Sequence, residues 1–138
     1  MGRKMQTKDV ALSVSKAILK GEWGALSGIL ADDFTYSGDG MTFNKQQYID
    51  FMKGMKSAFS NMAMEFTHVV ADGDLVCIRF VTTCTHTGKF MGAPATNKPL
   101  TIGGIFIRKI AGDRVVQEWQ TTDLLGTCLL YTSDAADE

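Results

Sequence analysis

The sequence predicts an α+β fold in which helices come first and cover one face of a curved antiparallel sheet. Three observations predict it. Apolar residues recur at helical spacing up to about residue 59, the period then changes to two, and the later apolar runs are bounded by turn signals. The first helix spans 8–20, where Val10, Val14, Ala17 and Ile18 form one stripe before Gly21 interrupts it. A short second helical stretch carries Trp23, Leu26, Ile29 and Leu30 on one side. Asp32 and Asp33 then lead to Phe34 and Tyr36, and the SGDG run at 37–40 reads as a loop.

The third helix has the clearest start. Asn44 can cap it, Gln47 stands at the third helical position to complete a capping box, and Phe43 can pack on Tyr48 as a staple. Tyr48, Phe51, Met52, Met55 and Phe59 form its buried face. Met62, Met64 and Phe66 then alternate with Ala63, Glu65 and Thr67 as a strand, and Asp72-Gly73 turns that strand into a second, 75–86, as an antiparallel hairpin. Residues 87–99, rich in Gly, Pro, Thr and Asn, form a long connection to a strand over 100–110. Ala111-Gly112-Asp113 is a tight turn into the last strand, 115 to about 123. Four antiparallel strands are expected, with no repeats and no low-complexity tract.

A chain of 138 residues makes one domain, which buries about two-thirds of its surface without a metal or disulfide staple. With 45% hydrophobic and 21% charged residues it is neither disordered nor, lacking a run of 18 apolar residues, a membrane span. Fourteen basic against fifteen acidic residues leave a net charge of -1, so no broad field draws it to nucleic acid or anionic lipid. Neither nucleic acid nor a membrane is an expected partner. Cys77, Cys84 and Cys128 are odd in number and without C-x-x-C spacing; they read as thiols in a reducing compartment. The opening MGRKMQTKDV has no apolar signal segment, so the cytoplasm is the default location.

Two segments carry a resemblance. Thr85-His86-Thr87-Gly88-Lys89-Phe90-Met91-Gly92-Ala93-Pro94-Ala95-Thr96 is close to the T-H-T-G-x-F-x-G-x-P-x-T connection of the SnoaL-like polyketide cyclases, a branch of the nuclear transport factor-like fold. The run DRVVQEWQTTD at 113–123 is similar to their final strand, where a Trp is followed four residues later by Asp. The resemblance covers roughly residues 8–126. It implies a cone-shaped sheet with an internal apolar pocket, in which family cyclases close a polyketide ring by an intramolecular aldol step. One carboxylate serves as acid and base there, with no metal or organic cofactor; carried over by position, it is Asp123.

The chain departs from the family in two places. Tyr36-Ser37-Gly38 stands where many members have a pocket histidine, and the usual Leu/Gln-rich terminal helix gives way to TCLLYTSDAADE. Residues 1–126 are therefore the expected domain. The tail, 127–138, has no amphipathic stripe, resembles translated sequencing-adaptor sequence, and is expected to be non-native or disordered.

Strand parity argues for Asp123 independently. Val115, Gln117, Trp119, Thr121 and Asp123 alternate onto one face, so if Trp119 faces the hollow, Asp123 does too. A carboxylate on an apolar wall holds its proton more tightly, which suits proton abstraction beside a carbonyl. The plainer reading is a solvated strand end. Trp119 reads as pocket wall with an indole donor or as core, and Tyr36 as an enolate hydrogen-bond donor or a loop tyrosine. His86 reads as a structural hydrogen bond to the long connection or as a proton carrier. Phe51 and Met55 line the expected pocket with neighbouring methionines, which are equally core filler. Arg79 either points outward to a dimer partner or pairs inside.

Nucleophile elbows, P-loops and zinc-spaced histidines are lacking. The leading expectation is a cofactor-independent acid/base enzyme on a hydrophobic carbonyl compound, forming a homodimer through the outer sheet face. An epoxide hydrolase, needing a second facing carboxylate, is disfavoured. The alternative is a non-catalytic small-molecule-binding or dimerisation module of the same fold.

Overall fold

A computed structural model describes residues 6–123. Its first helix, α1 (Thr7–Lys20), follows the predicted stripe, with Val10, Val14 and Ala17 buried. Gly21 ends the helix because it takes the left-handed conformation, φ 69°. Its N–H then donates to Ile18 O at 3.1 Å and that of Glu22 to Ala17 O at 2.9 Å. The short α2 (Trp23–Ile29) buries Leu26.

The chain next forms two strands that the sequence reading missed, β1 (Leu30–Gly38) and β2 (Met41–Asn44), joined through Asp39 and Gly40 at positive φ. Only Phe34 and Tyr36 mark β1 locally, and its second partner lies some eighty residues on in β6. Among the described residues six strands stand where four were expected.

Helix α3 (Lys45–Ala58) starts on the predicted capping box. The Gln47 N–H donates to Asn44 Oδ1 and the Asn44 N–H to Gln47 Oε1, both at 2.9 Å. The Phe43 ring packs on Tyr36 and Phe51, with centroids at 5.4 and 5.0 Å. Strands β3 (Phe59–Asp72) and β4 (Leu75–His86) form the hairpin, followed by β5 (Pro99–Ala111) and β6 (Arg114–Thr122).

The sheet order is β2-β1-β6-β5-β4-β3, antiparallel throughout except for the β1–β6 pair. The pairing of β3 with β4 slips at Ser60/Ala63 and Phe66/His68, and β6 carries one extra residue where Lys109 faces Gln117 but Ile110 faces Val115. Such bulges bend strands and increase twist, and here they accompany the curvature of an open, unclosed sheet. The helices lie in the concavity. Val10, Val14, Leu26, Tyr48, Phe34 and Val76 belong to the core there, and a second cluster gathers Ala58, Phe59, Cys84 and Leu100.

The predicted α+β class with helices on a curved sheet is therefore the observed one. Among the described residues no helix is long and apolar enough to cross a membrane. The tail expectation for 127–138, and Cys128 with it, lies outside the described residues.

Candidate functional site

Alternation along the inner strands builds the site. On β4 the inward row is Phe80, Thr82 and Cys84; on β5 it includes Ile102, Phe106 and Arg108; on β6 it includes Gln120 and Thr122. Tyr48, Met52, Met55 and Lys56 close over them from α3, Met62 and Met64 from β3, and Ile18 and Leu19 from the end of α1. Between them lies a cavity with about 90 Å³ open to the centres of water-sized molecules, several times the roughly 10–15 Å³ that one water needs.

Gly104 shapes its floor. A Cβ there would stand 2.6 Å from Thr121 O and 2.8 Å from Phe80 Cζ, so the missing side chain is what lets the Phe80 ring cross the strand. Phe80 stacks on Phe106 with centroids 4.6 Å apart.

At one side a buried ionic network meets the wall. Arg108, 2% exposed, donates from Nε to Glu118 Oε1 at 2.6 Å, and from one terminal nitrogen to Ala11 O and Ser15 Oγ, each at 2.7 Å. Its guanidinium also sits 4.1 Å from the Phe106 ring centroid. The Tyr48 hydroxyl donates to the same Glu118 oxygen at 3.1 Å. Among the described residues Glu118 Oε2 has no hydrogen-bond partner.

Burial, then the Glu118 charge, push the Tyr48 phenol well above its ordinary range, so it stays protonated. Burial pulls the Arg108 guanidinium down, but the Glu118 charge and a smaller effect of Tyr48 outweigh it and the net direction is up. Burial also raises the Cys84 thiol, an inert state for a cysteine on the wall. No carboxylate among the described residues lines the cavity; Glu118 touches it only through Tyr48 and Arg108. Nor do three His, Cys, Asp or Glu side chains converge among these residues as metal ligands would.

The residues singled out from sequence are dispersed. Met55 lines the cavity. Phe51 packs instead on Phe43 and Phe90, and Tyr36, 2% exposed, packs on Phe43 and Tyr48 with burial raising its phenol first and the Glu118 charge second. His86 is held in the connection: Nδ1 lies 3.3 Å from Thr96 Oγ1, its backbone bonds Lys98 O and Asn97 N, and its ring stacks on Phe59.

The parity expectation for the last strand is overturned. The extra residue in β6 lets Val115 and Glu118, three apart, both face the core, so Gln120 and Thr122 line the cavity while Trp119 lies 36% exposed on the convex face. Asp123 is exposed and follows on that outer side, bordering a shallow depression with Arg79, Ile105 and Thr121, and its N–H donates to Gly103 O at 2.9 Å. Arg79 points outward; the inner ion pair belongs to Arg108.

Sequence reading passed over Arg108, Glu118, Thr82 and Asp39. Arg108 carried a signal, because it alternates with Phe106 and Ile110 in an apolar strand. Asp39 accepts from the Thr122 N–H at 3.0 Å and from its hydroxyl at 2.5 Å, and so holds the end of β6 to the β1–β2 turn.

Known proteins share this fold. A family model for SnoaL-like polyketide cyclases matches residues 8–129. No curated protein matches the sequence as a relative. Among solved structures, AclR from Streptomyces galilaeus, a candidate hydroxylase, superposes with a TM-score of 0.81 at 19% identity, covering 92% of this chain and 96% of its own. IdmH from Streptomyces antibioticus, a candidate polyketide cyclase, gives 0.79 at 22%, covering 88% and 95%. A candidate SnoaL-like polyketide cyclase from Jannaschia sp. CCS1 gives 0.82 at 18%, covering 93% and 94%.

Proposed function

The chain belongs to the SnoaL-like polyketide cyclase family, and from that premise we propose that its cavity binds a hydrophobic carbonyl compound and turns it over through an enolate, by aldol ring closure or isomerisation, with no cofactor. The observation that carries the reading is Tyr48, a residue of the mostly apolar wall whose hydroxyl donates to the buried Glu118 carboxylate. In the proposed step the Tyr48 oxygen takes a proton from the carbon beside the substrate carbonyl while its own proton passes to Glu118 Oε1. Tyr48 stays neutral, as its raised proton affinity requires, and the electron pair rests on the substrate oxygen. That enolate attacks a second carbonyl carbon, and the new alkoxide takes the proton back along the same path. Arg108 acts by holding Glu118 in place.

Asp123 is the competing proton acceptor, because the family resemblance assigns it that role. A second reading, a binding module without turnover, draws support from the lack of a carboxylate among the described lining residues. Turnover of a panel of polycyclic aromatic ketones separates the three. Tyr48→Phe is expected to bind the ketones and lose about a hundredfold or more in rate, while Asp123→Asn keeps its rate within a few fold. The reverse pattern returns the base to Asp123. Binding by every variant with turnover by none, wild type included, leaves the binding module.

The proposal includes a homodimer through the convex sheet face. Val70, Cys77, Ile107 and Trp119 stand in register across β3, β4, β5 and β6, with exposed Leu75 and Ile105 beside them. A continuous apolar row on a solvent-facing sheet fits an isologous contact with a second copy.

A further inference from the structure

Thr82 has no structural reason to be a threonine. It is 6% exposed, and its hydroxyl has no hydrogen-bond partner among the described residues. Its neighbours offer none: Phe80 and Cys84 flank it on the inward row of β4, and Met64 and Ile102 face it in register from β3 and β5. Valine has the same shape and a stronger strand preference, and it would avoid the desolvation of an unpaired hydroxyl. Thr82 lines the cavity, so a ligand in that space is the partner nearest its side chain.

We propose that Thr82 Oγ1 is the ligand-anchoring group of the cavity, donating a hydrogen bond to an oxygen of a flat ring system that lies against Phe80 and Phe106. The inference rests on the cavity being the binding site and narrows the ligand class. Thr82 lies two strands from Glu118, the partner of Tyr48, and six residues along β4 from Val76, which shares the row of Glu118; the two places are therefore separated by roughly 20 Å along the strands as well as roughly 10 Å across them. The oxygen at Thr82 is therefore not the one reacting at Tyr48. A substrate that spans both places carries an oxygen function toward each end of an extended ring skeleton, and Thr82 sets which end enters first.

Calorimetric titration of the full chain with 1-tetralone and with tetralin, the same skeleton without the oxygen, tests this. Wild type is expected to bind the ketone more tightly. Thr82→Val is expected to lose about tenfold for the ketone and nothing for the hydrocarbon, and to melt at or above the wild-type temperature; Thr82→Ser is expected to keep the preference. Equal losses for both probes, no change for either, or a variant that melts well below wild type would each overturn the anchoring role while leaving the cavity as a binding site. Failure of wild type to bind either probe would overturn the cavity reading itself, and this inference with it.

Discussion

Arg108 is costly where it stands, because a guanidinium taken out of water must regain all its partners inside the protein. It does so through Glu118, Ala11 O, Ser15 and the Phe106 ring, and in this way α1, β5 and β6 are joined at one point. The two nearby tyrosines give the network a measurable signature. Tyr36 and Tyr48 hold their protons more tightly folded than unfolded, through burial first and the Glu118 charge second. A raised folded value contributes stability that is complete below the ordinary 10.0 and is lost as pH rises past it. The unfolding free energy should therefore fall above about pH 10, by at most about 1.4 kcal/mol per pH unit for each tyrosine. Urea unfolding from about pH 8 to about 11 checks it. Tyr48→Phe should show the shallower decline, and identical slopes would mean that the folded phenol ionises freely. At this scale Arg108 left a signal of simple alternation that the sequence reading passed over, whereas Glu118 left none, because its parity depends on a slipped register.

That slip belongs to the element scale. Between Val115 and Glu118 the period of two fails, and every residue downstream changes face, so Trp119 moves outward and Gln120 and Thr122 inward. The capping box of α3 was legible because all its atoms lie within four residues; the bulge was not, because only the pairing of β6 with β5 defines it. Two adjacent glycines on β5 make the same contrast testable. Gly104→Ala would drive a Cβ to 2.6 Å from a backbone oxygen and 2.8 Å from Phe80, whereas at Gly103 the nearest atom would be Phe80 O at 3.7 Å. Gly104→Ala should destabilise by about 1–3 kcal/mol or more and weaken ligand binding by displacing Phe80; Gly103→Ala should stay close to wild type. Chemical denaturation of the two variants gives the comparison, and equal stability would show that the floor of the cavity does not depend on the Phe80 crossing.

At the scale of the whole molecule, the convex face makes the prediction. Val70 is 61% exposed and Trp119 36%, and the row between them runs across four strands. Sedimentation should find a two-copy species for wild type, and Ile107→Asp should sediment as one copy with its helices intact by circular dichroism. A single-copy wild type at high concentration would remove the dimer from the proposal. The sequence by itself determined the helices, the β3–β4 hairpin, the turn before β6 and the family, because periodicity, capping and turn chemistry act between residues close in the chain. Only the tertiary structure decided that β1 and β2 extend the sheet, that Glu118 rather than Asp123 backs the cavity wall, and that Thr82 lines the cavity with no hydrogen-bond partner for its hydroxyl among the described residues. Each of those depends on which distant strand supplies the neighbour, and hydrogen-bond register across a curved sheet is a property of the pair and not of either strand alone.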